Sequence, residues 1–430
     1  MPRTKKTGGP SLQIDVASPP SWTFIAGDTV IGTVFSRSAI VAPEATVTIT
    51  LFGRVKTKIT VRKSTGNGSR TEHYRGRWLL VGSETRQVLH RGPVHLATGS
   101  SDPLSWPFSI TIPTRPVDSL ARQSAGAKSF LPLNNIADHL LPGTFYSISD
   151  GWGSKKSEAF VEYYLESVFR YSRGNSSESH TATFPLNLQH PSATISPVPE
   201  LQQTTFQLVV QTQRLLPGMK DEELTFKQKT QKFFHSSKVP TFGYIIELHS
   251  ARVIQLEDPS PIPLVIRFSP NTAITSPSIQ DTMQIIRLDW VRMTLKSTTS
   301  VIAPGNWSNS NTHDHAHSSE HDLGLPWIFG NLKNPVVFES AKGSQEVDVG
   351  KLLQLVLHPT ALRAGNRPQV SGRTISPDFV TYSIKHEHSI EWQFLFTVAD
   401  ETNKKKTTTS VRIVPPIRND PNPPEYSKKE

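Results

Sequence analysis

The sequence contains 430 residues with a formal net charge of +10 at pH 7, and it has no cysteine. This length exceeds what a single hydrophobic core usually serves, so we expect two domains. The lack of cysteine excludes disulfide frameworks, thiolate metal sites and cysteine nucleophiles. The positive charge favours anionic partners, such as acidic or phosphorylated protein tails or anionic lipid. We expect neither a signal peptide nor a transmembrane helix, because no apolar run has the required pattern or length.

Residues 11–172 carry the pattern of a first β-sandwich, after a basic lead at residues 1–10 that is predicted to be disordered. Short runs of Val, Ile, Thr and aromatic residues alternate with turn residues, at 12–16, 29–35, 46–53, 55–61, 77–81, 106–113 and 160–169. Such runs are typical of the strands of an all-β sandwich. The run 160–169 also fits helical spacing, but its neighbours favour a strand.

A second strand series occupies residues 205–415. It follows residues 173–204, a segment rich in Ser and Pro that we expect to connect two lobes. The apolar runs of this series lie at 205–211, 242–255, 262–268, 284–295, 351–357, 380–399 and 410–416. Residues 297–322 are predicted to form a polar insertion, and residues 416–430 a flexible tail. The fold class is therefore predicted as all-β, with two tandem immunoglobulin-like β-sandwich lobes.

The tail contains one P-P-x-Y motif, formed by Pro423, Pro424, Glu425 and Tyr426. The two prolines favour an extended polyproline II backbone, so little entropy is lost when a partner binds. The aromatic groove of a WW domain accepts two proline rings, here Pro423 and Pro424, and Tyr426 provides an aromatic anchor. The alternative interpretation is a chance string in a chain that contains 34 prolines.

A basic strand is predicted over residues 54–62. Alternation places four cations on one of its faces, namely Arg54, Lys56, Lys58 and Arg62. Such a face can hold a phosphorylated or acidic tail. Further arginines add to it if their strands are neighbours, namely Arg75, Arg77, Arg86 and Arg91. The alternative is a solvated outer face whose charges prevent edge pairing.

A histidine-rich run, His313-Asp314-His315-Ala316-His317, precedes Glu320, His321 and Asp322. Four histidines and three carboxylates within ten residues resemble a metal site. The surrounding Ser and Asn residues, however, are typical of a flexible polar loop that cannot fix ligand geometry. We therefore expect no specific metal ion and no cofactor. The run that contains His386 and His388 is strand-like, and pairing within a sheet is expected there rather than catalysis.

Templates of common enzyme sites are missing from the sequence. There is no G-x-S-x-G elbow, no complete P-loop and no dinucleotide-binding glycine pattern, so we expect no enzymatic activity and no catalytic residue. There is also no aromatic-basic RNA motif or zinc module, so nucleic acid is not expected as a partner. Peripheral contact of the basic face with an anionic membrane is favoured instead. A β-sandwich enzyme or a carbohydrate-binding β-sandwich protein stays open as an alternative.

The order of the sequence features resembles the arrestin fold, and specifically the alpha-arrestins, the arrestin-related trafficking adaptors, in a fungal type. The resemblance covers most of residues 11–415 and is firmer in the N-terminal lobe. The segments that carry it are GDTVIG (27–32), VTITLFG (47–53), WPFSI (106–110), LPGTF (141–145), VEYYL (161–165), LLPG (215–218) and VTYSI (380–384).

The resemblance implies a non-catalytic adaptor that links membrane-protein cargo to a WW-domain HECT-type ubiquitin ligase and thereby promotes cargo ubiquitination and endocytosis. In relatives, P-P-x-Y tails recruit the ligase, an expectation that falls on Pro423, Pro424 and Tyr426. Many relatives carry several such motifs, whereas this chain has one. Basic N-lobe surfaces of arrestins read acidic or phosphorylated cargo tails, which points to the basic strand over residues 54–62.

This resemblance also implies a cytoplasmic protein that is recruited to the plasma membrane or to endosomes. Its cargo would be the cytosolic tails of receptors or transporters. The alternative function is an arrestin-like scaffold in signalling or endosomal sorting, for which ubiquitination is incidental.

Overall fold

The computed structural model describes residues 3–19, 22–65, 68–120, 128–149, 154–173, 176–191, 199–219, 223, 225, 226, 228, 238–305, 312–365, 367–370 and 374–417. About 60% of the chain is strand and 8% is helix, which confirms the predicted all-β class. Nearly all strand pairs are antiparallel, with the pairing of β12 and β23 as a parallel exception among the residues described.

The first lobe contains two sheets. Its strands are β1 (Gln13–Val16), β2 (Thr29–Ser36), β3 (Ile40–Thr65), β4 (Gly68–Val81), β5 (Gln87–Leu96), β6 (Leu104–Thr111), β7 (Phe145–Ile148), β8 (Lys155–Arg173) and β9 (Ser176–Leu186). One sheet has the order β1-β2-β6, and the other has the order β4-β3-β8-β7, with β5 on β3 and β9 on β8. Side chains of both sheets, such as Val30 and Phe108 from one and Ile49 and Leu165 from the other, form a single hydrophobic cluster.

The long central strands β3 and β8 form the frame of this lobe. The pairing of β3 with β5 is irregular around Pro43, where the missing N–H cannot join the ladder. Gly53 allows β3 to approach the ring of Tyr163, because a Cβ at this position would lie 2.5 Å from that ring. Tyr163 in turn donates its hydroxyl to the carbonyl of Pro142 at 2.7 Å. The strand predicted over 160–169 is confirmed as part of β8.

The second lobe contains the remaining strands: β10 (Leu201–Gln211), β11 (Thr241–Ala251), β12 (Val253–Gln255), β13 (Leu264–Pro270), β14 (Ile285–Pro304), β15 (Thr312–Asp322), β16 (Val336–Glu339), β17 (Gln345–Asp348), β18 (Leu355–His358), β19 (Ala361–Ala364), β20 (Arg367–Val370), β21 (Phe379–Val380), β22 (Ile384–Val398) and β23 (Glu401–Val414). The sheet orders are β10-β11-β13-β17, β12-β23-β22-β14-β15 and β18-β19-β20, with β16 on β14 and β21 on β22. A second hydrophobic cluster, which includes Leu208, Ile246 and Trp392, fills this lobe.

Helical segments are short. The α-helices whose bounds lie within the described residues are α1 (Leu325–Gly330) and α2 (Val349–Leu353). The 3-10 helices described are Ser83–Thr85, Ile136–Asp138, Gln213–Leu215, Pro277–Ile279 and Ser340–Lys342. Each is three to six residues long, so the strands alone form the frame of both lobes.

The basic lead, expected to be disordered, packs against the first lobe. Thr7 exchanges two backbone hydrogen bonds with Thr183 on β9, with N···O distances of 3.0 and 3.2 Å. Thr4 donates its backbone N–H to the carboxylate of Glu162 on β8 at 2.7 Å. The expectation was therefore wrong for residues 3–10. Sheet-edge groups and a buried carboxylate need partners, and a polar segment can satisfy them without an apolar run of its own.

Two polar segments form strands instead of loops. Residues 176–186, inside the expected connection 173–204, form β9 and pair with β8. Most of the expected insertion 297–322 is also regular, because residues 297–304 continue β14 and residues 312–322 form β15 beside it. Ser, Thr and His dominate these strands, so their composition resembles a loop. The backbone pairing that orders them involves distant segments and does not show in composition.

The lobes pack together through the end of the C-terminal sheet. Val301 and Ala303 on β14, together with Tyr382, belong to the hydrophobic cluster of the first lobe. Thr57 on β3 donates its hydroxyl to the backbone carbonyl of Ile302 at 2.8 Å in a buried setting. The whole chain is therefore an all-β sandwich protein compatible with an arrestin-like fold.

Replacing Thr57→Val is expected to lower the free energy of unfolding by about 2 kcal/mol, because the buried carbonyl of Ile302 loses its hydrogen bond. Valine keeps the shape of threonine, so no cavity adds to this effect. Urea unfolding measures the difference. Thr71→Val, at an exposed position of β4, is the matched control and should change stability by less than about 0.5 kcal/mol. Equal stability of both variants would show that the inter-lobe hydrogen bond contributes nothing.

Candidate functional site

Four cations share the outer face of β3, as the alternation predicts. They are Arg54, Lys56, Lys58 and Arg62, of which the last is exposed and the others are half-buried. The residues between them face inward, and Val55 is completely buried. β3 pairs with β8 on one side and with β4 on the other. The side chains of these two flanking strands therefore decide which cations can meet an external ligand.

Glu162 on β8 neutralises part of the face. It lies opposite Arg54 in the strand register, and its carboxylate accepts hydrogen bonds from Arg54 Nε and, at 3.1 Å, from Lys56 Nζ. The Glu162 side chain is 7% exposed. Arg54 also lies 4.8 Å from the ring centre of Tyr164, and Lys56 lies 5.2 Å from that of Phe160. Two of the four predicted binding residues are thus fixed by contacts inside the lobe.

The basic lead closes this half of the face. The backbone N–H of Thr4 reaches Glu162 Oε2 at 2.7 Å, and Arg54 Nη2 donates to the Thr4 hydroxyl at 3.0 Å. Arg3 places its guanidinium 4.2 Å from the ring centre of Tyr146 on β7. Sequence reasoning missed this cover, since it treated the lead as separate from the sheet.

The Glu162 carboxylate is held in its ionised form. Burial alone would raise the pKa of Glu162, but the hydrogen bonds from Thr4, Arg54 and Lys56 outweigh burial and lower this pKa. For Lys56 the largest effect is also burial, which lowers its pKa, while Glu162 acts in the opposite direction. One of the two positive charges of Arg54 and Lys56 is therefore balanced within the lobe.

The remaining cations form an open basic patch, which consists of Lys58, Arg62, Arg75 and Arg77. The register of β3 and β4 sets Arg75 directly opposite Lys58, with Arg77 two positions along the same face. Both arginines are exposed, and in the described part of the chain no ion pair involves Lys58, Arg75 or Arg77. Arg62 Nε donates to the hydroxyl of Ser69 at 3.1 Å. Arg75 and Arg77 thus meet the condition set for them, because β4 is a neighbour of β3.

Arg86 and Arg91 do not join the open basic patch. Arg86 follows a 3-10 helix and precedes β5. Arg91 on β5 lies opposite Thr46, which is twelve residues before Lys58 on β3. The two arginines therefore lie beside the N-terminal half of β3, away from the open basic patch.

The open basic patch has the chemistry needed to bind an extended anionic peptide. Arginine forks bind carboxylate or phosphate through two hydrogen bonds, and lysine contributes a point charge. Cations two positions apart on a strand are separated by about 7 Å, similar to the spacing of alternate residues in an extended ligand. Glu158, opposite Lys58 on β8, places a carboxylate at one border of the patch. An anionic ligand is therefore expected on the β4 side.

The histidine-rich run is the contact face of β15 and not a flexible loop. Alternation directs His313, His315 and His317 toward the first lobe. His313 stacks on Tyr74 with ring centres 3.5 Å apart. His315 and His317 hydrogen-bond to the hydroxyl of Ser157 on β8, at 2.9 and 3.1 Å. Over the ranges that the structure describes, no group of three His, Asp or Glu side chains is placed to hold a metal ion.

A cavity of about 750 Å³ lies between the lobes beside these histidines. Ser147 on β7 hydrogen-bonds to His317 Nε2 at 2.8 Å at its wall. His386 on β22 lines the cavity while only 5% exposed, and its Nδ1 bonds to the hydroxyl of Thr299 at 2.9 Å. His386 therefore pairs within its sheet, as the sequence predicts, and it also faces the other lobe.

The P-P-x-Y residues Pro423, Pro424 and Tyr426 lie outside the described residues, which end at residue 417. β23 ends at Val414, nine residues before Pro423. Among the described helices, none is long and apolar enough to cross a membrane. No protein-family model matches the chain, and no curated protein matches it either.

Proposed function

We propose that the protein is a non-catalytic adaptor of the arrestin-related trafficking type. The open basic patch would hold the cytosolic tail of a receptor or transporter, and the P-P-x-Y motif would hold the WW domain of a HECT-type ubiquitin ligase. The observation that carries this proposal is the presence, in one chain, of a WW ligand motif and of exposed arginines, Arg75 and Arg77, that form no ion pair with any described residue.

The mechanism is proximity rather than chemistry by this protein. Two binding sites on one chain raise the local concentration of ligase at the cargo, so ubiquitin transfer by the ligase and endocytosis of the cargo follow. The protein would act from the cytoplasm at the plasma membrane or endosomes. The formal charge of +10 favours peripheral contact with an anionic membrane, which would bring the patch close to cargo tails.

Replacing Tyr426→Ala is expected to weaken binding to an isolated WW domain about thirtyfold, because the motif loses its aromatic anchor. A single short ligand binds with a Kd of roughly tens of micromolar, or about 6 kcal/mol, so the variant should approach millimolar affinity. Titration of the full-length protein with fluorescently labelled WW domains of a HECT ligase measures the difference.

Glu425→Ala, at the variable position of the motif, is the matched control and should bind within about a factor of two of the wild type. Both variants should unfold at the same urea concentration as the wild type. Binding that is unaffected by Tyr426→Ala, or no binding by the folded wild type, would remove the ligase arm from the proposal.

A further inference from the structure

Histidines from both lobes meet at the inter-lobe contact. From the first lobe, His139 Nδ1 hydrogen-bonds to the hydroxyl of Tyr382 at 2.9 Å, and the ring of His190 lies 4.5 Å from that of Phe379. The second lobe contributes the histidines of β15 and β22, namely His313, His315, His317, His321, His386 and His388. Eight of the 15 histidines in the sequence thus cluster around this contact.

Two of these imidazoles are packed as neutral rings. His190 is 5% exposed, and its Nδ1 accepts the backbone N–H of Gly143 at 3.1 Å, so its proton resides on Nε2. The ring of His386 lies 4.9 Å from that of Phe145 on β7 of the other lobe. Neither Nε2 atom has a hydrogen-bond partner among the described residues. A second proton on either ring would therefore place an unpaired charge against aromatic carbon.

The surroundings of the buried rings oppose that charge. Burial lowers the pKa of His190 to about 3. Burial also lowers the pKa of His386 well below its ordinary value. Four further histidines near His386 also lower its pKa, namely His388, His190, His317 and His321.

At the rim of the cavity, His315 faces a fixed cation. Burial lowers the pKa of His315, Lys155 on β8 adds to this, and the adjacent Asp314 opposes it. Lys128 lines a smaller neighbouring cavity together with His315. A positive charge on His315 would therefore lie near two lysines, which repel it, and near one carboxylate, which attracts it.

One nearby carboxylate pairs with a histidine of the cluster, and another pairs outside it. Asp378 hydrogen-bonds to His388 Nδ1 at 2.6 Å and accepts the N–H of Ile413 at 2.9 Å. Glu72 accepts the hydroxyl of Tyr74, the ring on which His313 stacks. Neither carboxylate has a contact with His190, His315 or His386 among the interactions of the described residues.

We propose that the packing of the two lobes is pH-sensitive, and that protons bound by His190, His315 and His386 loosen it below about pH 6. When the lobes separate, His190, His315 and His386 meet water and regain an ordinary pKa near 6.5. Above that pH both states are unprotonated, and the packed state keeps its full stability. Below it the separated state binds more protons, so the stability of packing falls as pH falls. His190 and His386 each raise the ratio of separated to packed protein about tenfold for each pH unit below that pH.

Energy transfer between labels on the two lobes tests this proposal. Since the chain has no cysteine, Ser100→Cys and Asp281→Cys introduce one exposed labelling position on each lobe. The full chain is titrated from pH 8 to pH 5 at constant ionic strength, and far-UV circular dichroism is recorded on the same samples. Transfer efficiency should be constant above pH 7 and should change reversibly and steeply below about pH 6, while strand content is unchanged.

Replacing His386→Gln together with His190→Gln removes two of the titrating groups. The opening constant is the ratio of separated to packed protein. Its value at pH 5 divided by its value at pH 7.5 should fall about thirtyfold for each buried histidine replaced. His95→Gln, an exposed histidine on β5, is the matched control and should leave the ratio unchanged. If the double variant does not fold, His315→Gln at the half-buried rim gives the same test, with a decrease in the same direction.

Three results would overturn the proposal. The first is constant transfer efficiency down to pH 5 in a folded protein. The second is loss of circular dichroism over the same pH range, which would mean that acid unfolds the chain rather than separating its lobes. The third is an unchanged pH response in every folded variant that lacks an interface histidine.

Discussion

Replacing Glu162→Gln is expected to destabilise the protein by about 3 kcal/mol and, at the same time, to strengthen its binding to an anionic peptide. The substitution leaves Arg54 and Lys56 without a counter-charge, and their side chains are 15% and 14% exposed. Removing one partner of a buried ion pair costs roughly 3–5 kcal/mol, and glutamine recovers part of this by accepting a hydrogen bond. The two cations then become available to an external anion beside the open basic patch.

Urea unfolding and titration with a diphosphorylated peptide measure the two effects. Glu320→Gln is the matched control, because Glu320 pairs with Lys296 at 3.1 Å but its side chain is 62% exposed. Such an exposed pair should contribute less than about 0.5 kcal/mol. Glu162→Gln with wild-type stability and wild-type peptide affinity would contradict the assigned role of Glu162.

The pH dependence of this difference has a defined sign. Because the pKa of Glu162 is lowered in the folded state, its contribution to stability is complete above its ordinary pKa, which is 4.5. The contribution is lost as pH falls through the lowered value. The gap in unfolding free energy between wild type and Glu162→Gln should therefore be constant above about pH 5 and should close in more acidic solution.

Replacing Arg75→Glu and Arg77→Glu together is expected to reduce affinity for a phosphorylated peptide at least a hundredfold. Hydrogen bonds to charged groups contribute roughly 1.5–3 kcal/mol each, and the variant loses two such donors and adds two repulsive charges. A synthetic peptide with two phosphoserines separated by one residue is the probe, with its unphosphorylated form as reference. Stability should change by less than about 0.5 kcal/mol, because both arginines are exposed.

The matched control for this variant is Arg252→Glu with Arg363→Glu. It changes the net charge by the same four units at exposed positions of the second lobe. If binding depends on the open basic patch, the control should keep wild-type affinity at 0.15 M salt, where exposed charges act over about 8 Å. An equal loss of affinity in both double variants would mean that the peptide responds to net charge alone.

Local patterns predicted the strands and the basic face well. Alternation around Val55 determines which side of β3 is charged, and this could be counted directly from the sequence. Whether Arg75 lies opposite Lys58 depends on which strand pairs with β3 and in which register, and alternation alone does not specify this. The structure places these two residues opposite each other in β3 and β4.

Non-local contacts explain most of what the sequence did not reveal. Glu162 meets Arg54 from a position 108 residues away, so only the pairing of β3 with β8 brings them together. His317 meets Ser147 across 170 residues, and composition alone suggested a loop there. In both cases the polar residues pair with groups on a distant strand, and no local periodicity specifies the partner.

The most direct test of the adaptor proposal is simultaneous binding of both partners. A WW domain is immobilised, the full-length protein is added, and retention of the labelled diphosphorylated peptide is measured. Wild-type protein should retain the peptide, whereas Tyr426→Ala and the Arg75→Glu/Arg77→Glu variant should each release it, because each removes one of the two arms. Two results would contradict the proposal. One is that the folded wild type does not retain the peptide. The other is that both variants retain as much peptide as the wild type does.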